Sequence, residues 1–135
     1  MDTIMIKQVN TRAAKELSDL AKAIYFEYYD YLWHEGGKQW YMHDFAYAEN
    51  KIAEELKDEN NLHFIAYEND KGIAYIKIKL NAVLKGEENK NALELERIYI
   101  HKANAGKGLG KQLMQLTLQI AQQHHKELVF LKAMD

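Results

Sequence analysis

The hydrophobic pattern changes along the chain between a period of two and a period near 3.6, and so predicts both strands and helices. Short apolar or alternating runs predict five strands, at 3–9, 62–68, 73–80, 92–100 and 128–131. Helical spacing predicts one helix after Asn10 or Thr11, one over 46–58, and one containing Leu109, Leu113, Leu116 and Ile120. The resulting order, β-α-α-β-β-β-α-β, describes a mixed sheet with helices on both faces. The last strand returns after a helix, which predicts a right-handed parallel crossover.

The composition fits one globular domain spanning residues 1–135. Apolar residues make up 47% of the chain and the formal net charge is −2, so no basic surface for nucleic acid is expected. No apolar run approaches the roughly 20 residues of a membrane span, and the N-terminus lacks a signal-peptide pattern. We therefore expect a cytoplasmic protein with no membrane or nucleic-acid partner. The absence of cysteine excludes disulfides, thiolate metal sites and a covalent cysteine intermediate.

A glycine-rich turn between the fourth strand and the third helix is the main candidate for chemistry. It reads Ala105-Gly106-Lys107-Gly108-Leu109-Gly110 and is followed by Lys111. Glycines let main-chain N–H groups approach an anion, and the start of a helix directs its unpaired N–H groups to the same place. The turn therefore predicts a phosphate-binding site over 106–111, in which Lys107 and Lys111 either add charge or are only solvated. A strand-to-helix turn without a ligand is the alternative.

The strand LELERIYI (93–100) and the turn with GLGKQLM (108–114) resemble the GNAT superfamily of N-acetyltransferases, and most of all the bacterial spermine/spermidine acetyltransferases. The family signature is Gln/Arg-x-x-Gly-x-Gly/Ala, and Ala105 stands at its Gln/Arg position, so one polar phosphate contact is absent. The resemblance implies an α/β GNAT fold and acetyl-CoA as co-substrate, with its pyrophosphate at the glycine turn. It also implies that main-chain atoms of Ile98, Tyr99 and Ile100 pair with the pantetheine arm where the fourth and fifth strands separate.

The reaction that the resemblance implies is direct acetyl transfer to a primary amine, with a polyamine as the expected acceptor. An amine is protonated at pH 7, and a carboxylate in the cleft can take its proton, directly or through a water. Glu94, which matches the base position of some family members, and Glu96 are the candidates, because a regular strand places both on one face. A solvated strand face or an ion pair with Arg97 is the alternative. A bulge in the strand would change which glutamate points inward.

Aromatic residues are concentrated in segment 25–47, which holds six of the nine tyrosines and both tryptophans. Acidic residues interleave with them, so the segment suits a cationic acceptor through cation–π and carboxylate contacts. The predicted acceptor-binding residues are Glu27, Tyr28, Tyr29 and Trp33. Core packing, a homodimer interface and an exposed hydrophobic patch remain alternatives.

Two further expectations concern the metal content and the C-terminus. The six histidines show no metal-ligand spacing, so no metal is expected. The GNAT fold continues beyond the strand that begins at Leu128, with a helix, a tyrosine that often acts as general acid, and further strands. We therefore expect a domain truncated early in its fifth strand. This leaves a second hypothesis open, namely a non-catalytic acyl-CoA binding or regulatory module, or an inactive truncated acetyltransferase.

Overall fold

A computed structural model describes residues 4–29 and 48–131, without the side chains of Phe26, Tyr28 and Tyr29. The strands are β1 (Ile4–Val9), β2 (Asn61–Glu68), β3 (Lys71–Ala82), β4 (Ala92–Ile100) and β5 (Leu128–Phe130). The helices are α1 (Ala14–Tyr29), α2 (Glu49–Lys57) and α3 (Leu109–Gln123), with short 3₁₀ turns at Thr11–Ala13 and Lys102–Asn104. The predicted order of elements is confirmed, and β3 is longer at both ends than the pattern indicated.

The strands form one mixed sheet in the order β1-β2-β3-β4-β5. The first four strands pair antiparallel with their neighbours, while β5 runs parallel to β4. A two-residue turn at Asn69 and Asp70 joins β2 to β3, and both residues have positive φ, as tight hairpins require. The predicted mixed sheet and the parallel return of the last strand are therefore confirmed.

Helices cover both faces of this sheet, as the sequence predicted. On one face, Leu109, Leu113 and Ile120 of α3 pack against a continuous apolar surface of β2, β3 and β4. On the other face, α1 and α2 pack over Ile65 and Tyr75. Burial of these apolar side chains is the main favourable term that holds the helices to the sheet.

A β-bulge interrupts β4 at Glu96. Lys77 of β3 pairs with Arg97 while the next residue, Ile78, pairs with Leu95, so Glu96 is the extra residue. The bulge shifts the alternation of side chains by one position. The α3-side residues are Leu93 and Leu95 before the bulge and Ile98 and Ile100 after it, while Tyr99 packs on the α1–α2 side. The strand thus keeps apolar residues towards α3 on both sides of the irregularity.

In the described part of the chain, no helix is long and apolar enough to cross a membrane.

Candidate functional site

β4 and β5 are neighbours over only three residues each. Ala92–Glu94 pairs with Leu128–Phe130, and β5 ends there. The second half of β4 therefore has one edge without a strand partner among residues 4–29 and 48–131. Such an edge presents unpaired main-chain N–H and C=O groups that an extended ligand can use.

The orientation of the main chain shows which residues supply this open edge. The N–H of His101 donates to the C=O of Ile73 on β3, at 2.9 Å. Because successive residues direct their main-chain groups to alternate edges, those of Tyr99 face β3. The groups of Ile98 and Ile100 face the open edge. Of the three residues expected to pair with a pantetheine arm, the geometry thus supports Ile98 and Ile100 but directs Tyr99 elsewhere.

At two positions of the glycine turn, the backbone conformation favours glycine. Gly106 has φ +79° and Gly108 has φ +81°, the left-handed region that other residues rarely adopt. A Cβ atom at either position would meet no atom of the described residues within 4 Å, so the space beside the turn is open to that part of the chain. Gly110 differs, because its φ is not positive and a Cβ there would lie in ordinary contact with Ile100 Cδ1 at 3.6 Å.

The turn directs unpaired main-chain donors into that open space. Gly108 is the N-cap of α3 and makes no side-chain capping hydrogen bond. The first helical hydrogen bond is donated by Gln112 to the C=O of Gly108, at 3.1 Å. The N–H groups of Leu109, Gly110 and Lys111 precede it and have no acceptor in the described chain. Together with the helix dipole, they form a cradle suited to a phosphate group.

Lys107 and Lys111 are both exposed beside this cradle, and neither forms an ion pair within the described ranges. They are available to a bound anion as solvated charges.

A cluster of charged side chains lies beside the bulge, on the sheet face that α1 and α2 cover. Its members are Glu55 of α2, Lys77 and Lys79 of β3, and Glu94, Glu96 and Arg97 of β4. Arg97 donates from both terminal nitrogens to Glu55, each at 2.8 Å. Burial raises the pKa of Glu55, but Arg97 and Lys77 outweigh it and hold that pKa below its ordinary value.

Glu96 is paired with two lysines of this cluster. Lys77 donates a hydrogen bond to Oε1 at 2.8 Å, while the Nζ of Lys79 lies 2.8 Å from Oε2 as an ion pair without a hydrogen bond. The ion pair with Arg97 that the sequence suggested is long, at 3.9 Å. Burial raises the pKa of Glu96, yet the two lysines lower it to about 2. A carboxylate held in this way is a poor proton acceptor.

Glu94 has the opposite surroundings. It lies across from Lys79 in the β3–β4 register and is 9% exposed. The Nζ of Lys79 forms an ion pair with Glu96, and this contact raises the pKa of Lys79. The Glu94 carboxylate makes no hydrogen bond or ion pair with any residue in 4–29 or 48–131. It is therefore the cluster's one carboxylate, among the described residues, without a hydrogen bond or ion pair.

Next to the cluster, a buried histidine stays uncharged. His63 of β2 pairs with Lys77 and is 1% exposed. Burial, with Lys77 adding repulsion, lowers its pKa to about 4, so the imidazole is neutral at pH 7. The cluster thus gains no further positive charge from this side.

Glu27, predicted as an acceptor-binding residue, has its carboxylate engaged within the protein. Oε1 lies 2.6 Å from Nδ1 of His101, and Oε2 accepts the main-chain N–H of Lys102 at 3.0 Å. Burial raises the pKa of Glu27, but these two contacts outweigh it and hold the pKa low.

The side chains of the other predicted acceptor-binding residues lie outside the described parts. Tyr28 and Tyr29 belong to α1 by their backbone, but their side chains are not described, and Trp33 lies in 30–47. Their role stays a prediction.

Two surface cavities lie away from the open edge of β4. One of about 340 Å³ adjoins the glycine turn and is lined by Glu68, Asn104, Lys107 and Gln112 together with apolar residues. Another, of about 390 Å³, lies at the β1–β2 edge around Lys7 and Tyr67. Neither contains Glu94, Ile98 or Ile100. Within the described residues, no group of three or more acidic, histidine or cysteine side chains could hold a metal ion.

Sequence reasoning missed the partners that decide the state of Glu96. The alternation in the second half of IAYIKIKL (73–80) is typical of a strand with one solvent face, yet Lys77 in that half is only 3% exposed because α2 covers it. A signal was present, because Glu55 lies between the apolar positions Ile52 and Leu56 of α2 and so had to meet a cation on the sheet.

Comparison with known families gives one model that matches most of the chain. It describes the acetyltransferase (GNAT) family and matches residues 25–135. A curated relative, an uncharacterized N-acetyltransferase of Lactobacillus delbrueckii subsp. lactis, is 26% identical over 83 residues. That match covers 62% of this chain and 48% of the relative, so the chain spans about half of that relative's length.

Several solved structures share the fold. A PaiA N-acetyltransferase of Thermoplasma acidophilum in complex with coenzyme A has a TM-score of 0.75 at 20% identity, over 92% of this chain and 75% of that one. A ribosomal-protein-alanine N-acetyltransferase of Brucella melitensis has a TM-score of 0.69 at 15% identity, over 98% and 81%. An aminoglycoside N-acetyltransferase in complex with CoA gives 0.72 at 16% identity, over 99% and 79%. At these identities the similarity shows the fold.

Proposed function

Because the chain belongs to the GNAT family of acetyltransferases, we propose that it transfers an acetyl group from acetyl-CoA to a primary amine. The observation that carries this proposal is the continuity of the open β4 edge with the glycine cradle. The edge at Ile98 and Ile100 offers main-chain groups to an extended arm, and the cradle offers unpaired N–H groups to a phosphate. A ligand with an amide-containing arm and a pyrophosphate matches both features.

The chain's own residues would hold acetyl-CoA mainly through main-chain atoms. The pyrophosphate would accept hydrogen bonds from N–H groups over 106–111, with Lys107 and Lys111 adding screened charge. Ile98 and Ile100 would bond the pantetheine arm in the manner of an added strand. The thioester of acetyl-CoA supplies the activated acetyl group.

Glu94 is the proposed general base. Its carboxylate is the one in the charged cluster without a partner in the described chain, whereas Glu96 is held by two lysines. Taking a proton from the ammonium group exposes the nitrogen lone pair that attacks the acetyl carbon. The C–N bond forms as the thioester C–S bond breaks, and CoA leaves as a thiolate that takes up the remaining excess proton of the amine as the free thiol. We propose direct attack rather than a cysteine intermediate, since the chain contains no cysteine.

We propose a polyamine as the acceptor. The resemblance to spermine/spermidine acetyltransferases supports this choice, as do the acidic and aromatic residues interleaved over 25–47. Tyr28, Tyr29 and Trp33 would contact the cationic chain.

The test is a thiol-release assay with acetyl-CoA and a panel of amines, paired with calorimetric titration of CoA. The panel contains spermidine, a diamine, a lysine-containing peptide and an aminoglycoside, with an amine-free blank. We expect CoA binding and amine-dependent release, fastest with spermidine. Thiol release with only one of the other amines would assign that amine as the acceptor in place of a polyamine. CoA binding without thiol release on any amine would support an acyl-CoA binding module instead.

A further inference from the structure

The side chain of Glu27 connects α1 to the chain segment that leads into the glycine cradle. One carboxylate oxygen contacts Nδ1 of His101 at 2.6 Å, and the other accepts the N–H of Lys102 at 3.0 Å. His101 and Lys102 are the first two residues after β4. Both contacts therefore lie between the open edge and the cradle.

The segment after β4 depends on these two residues for its shape. The N–H of Asn104 donates to the C=O of His101, and the N–H of Ala105 donates to the C=O of Lys102. The cradle then follows through Gly106, whose freedom in φ makes the segment intrinsically loose. Holding His101 and Lys102 in place therefore also holds the two carbonyl groups that accept the hydrogen bonds of the next turn.

A contact from the opposite side completes the support. Asn104, which is 7% exposed, donates from Nδ2 to Glu68 of β2 at 3.3 Å. Glu27 from α1 and Glu68 from the sheet thus hold the same short segment, with Glu27 making the shorter contacts.

We propose that Glu27 is a positioning residue for the acetyl-CoA site, acting through His101 and Lys102 to hold the cradle in its binding geometry before the ligand arrives. The proposal rests on the proposed function, because acetyl-CoA is the ligand. A preorganised segment binds more tightly, since binding no longer has to supply its conformational ordering.

This role fits the surroundings of Glu27 better than the acceptor-binding role that the sequence predicted. An ammonium group would have to displace His101 or the Lys102 N–H from an already satisfied carboxylate. A positioning role instead uses both oxygens as they stand.

The experiment measures the Kd of CoA by calorimetry for the parent chain, Glu27→Ala and Glu27→Gln. We expect Glu27→Ala to raise the Kd about tenfold, the effect of losing hydrogen bonds to a charged acceptor. Glu27→Gln keeps an oxygen acceptor for the Lys102 N–H, so we expect about a threefold rise. With turnover, the KM for acetyl-CoA should rise in parallel, while kcat at saturating acetyl-CoA stays near that of the parent.

Glu16→Ala is the matched control, because Glu16 lies on the same helix but hydrogen-bonds Tyr67 of β2. It should leave the Kd of CoA unchanged. Unchanged CoA binding in Glu27→Ala, or a rise in the KM for the amine alone, would overturn the positioning role and leave the proposed function intact. A parent chain that does not bind CoA would overturn both. If Glu27→Ala fails to fold, Glu27→Gln decides the question by the same readout.

Discussion

The half of β4 before the bulge is enclosed by its neighbours, whereas the half after it is open along one edge. Residues 92–94 pair with β3 on one side and β5 on the other, while Ile98 and Ile100 direct their main-chain groups to an edge without a described partner. The enclosed half carries Glu94, the proposed general base, whose ability to accept a proton would depend on the side-chain charges around it. The open half offers main-chain N–H and C=O groups, which most side-chain substitutions would not alter.

This difference separates two kinds of sensitivity to mutation. The chemistry proposed for the enclosed half depends on which carboxylate is paired with which cation, so changes at Glu94 should have large effects on rate. The binding proposed for the open half and the cradle depends on backbone conformation, so changes there should matter when they alter φ or the order of the turn. The predictions below test this separation.

The largest effect is expected for Glu94→Gln, which removes the proposed base and keeps the shape of the side chain. The rate at saturating substrates should fall about 10²–10⁴-fold, the usual contribution of a general base. The Kd of CoA should not change, because Glu94 lies before the open edge. Steady-state kinetics and calorimetry check the two halves of the prediction. Glu54→Gln, at an exposed position of α2, is the matched control. An unchanged rate in Glu94→Gln, or an equal loss in the control, would contradict the assignment of the base to Glu94.

Glu96 should instead contribute to stability, in a pH-dependent way. Its pKa of about 2 lies below the ordinary value of 4.5, so its contribution is complete above about pH 4.5 and is lost as the pH falls towards 2. Between about pH 6 and about pH 3, the parent should lose on the order of 2 kcal/mol more free energy of unfolding than Glu96→Gln. Urea unfolding followed by circular dichroism measures both. Carboxylates with lowered pKa outside the cluster, such as Glu27, cancel in this difference. Equal losses would show that Glu96 is not held by Lys77 and Lys79.

Gly108→Ala tests the cradle through backbone conformation alone. Left-handed φ costs an alanine about 1–2 kcal/mol. The binding geometry should therefore be depopulated, raising the Kd of CoA roughly 5–30-fold. Gly86→Ala is the control, since Gly86 also has positive φ, with no atom within 4 Å of a built Cβ, and lies in the β3–β4 loop. It should lose similar stability without changing CoA binding. Equal effects of the two variants on Kd would contradict a specific cradle.

The smallest effect is expected for Lys107→Ala. An exposed lysine contributes about 0–1 kcal/mol through a screened interaction, so the Kd of CoA should rise no more than about fivefold. The difference between parent and variant should shrink as salt is raised, which a titration series in sodium chloride would show. A difference that is independent of salt would indicate a direct, desolvated contact instead.

The sequence was informative wherever a signal is local. The glycine turn, the helix after it and the apolar runs of β1 and β2 depend on residues next to one another. The two strands were predicted, at 3–9 and 62–68, close to their observed bounds. The turn at Asn69 and Asp70 likewise carries its own preference for positive φ.

The site's electrostatics depended on distant pairs and could not be predicted in the same way. Glu96 meets Lys77, 19 residues away, only because β3 and β4 pair in one particular register. Glu27 meets His101, 74 residues away, only after α1 has packed across the sheet. No local pattern in the sequence encodes either contact. The bulge was foreseen as an alternative, but its place at Glu96 follows from pairing with β3.

The bulge at Glu96 sets which face each later residue of β4 occupies. If the strand ran through Glu96 in regular pairing, Ile98 and Ile100 would turn out of the α3 side and Tyr99 would turn into it, although every letter of the strand stayed the same. Deleting Glu96 would instead place Leu95 and Arg97 opposite adjacent residues of β3 as they are now, and would leave the later side chains on their present faces. An ungapped alignment of β4 with a strand that lacks the bulge would therefore match residues that lie on opposite faces of the two sheets after Glu96.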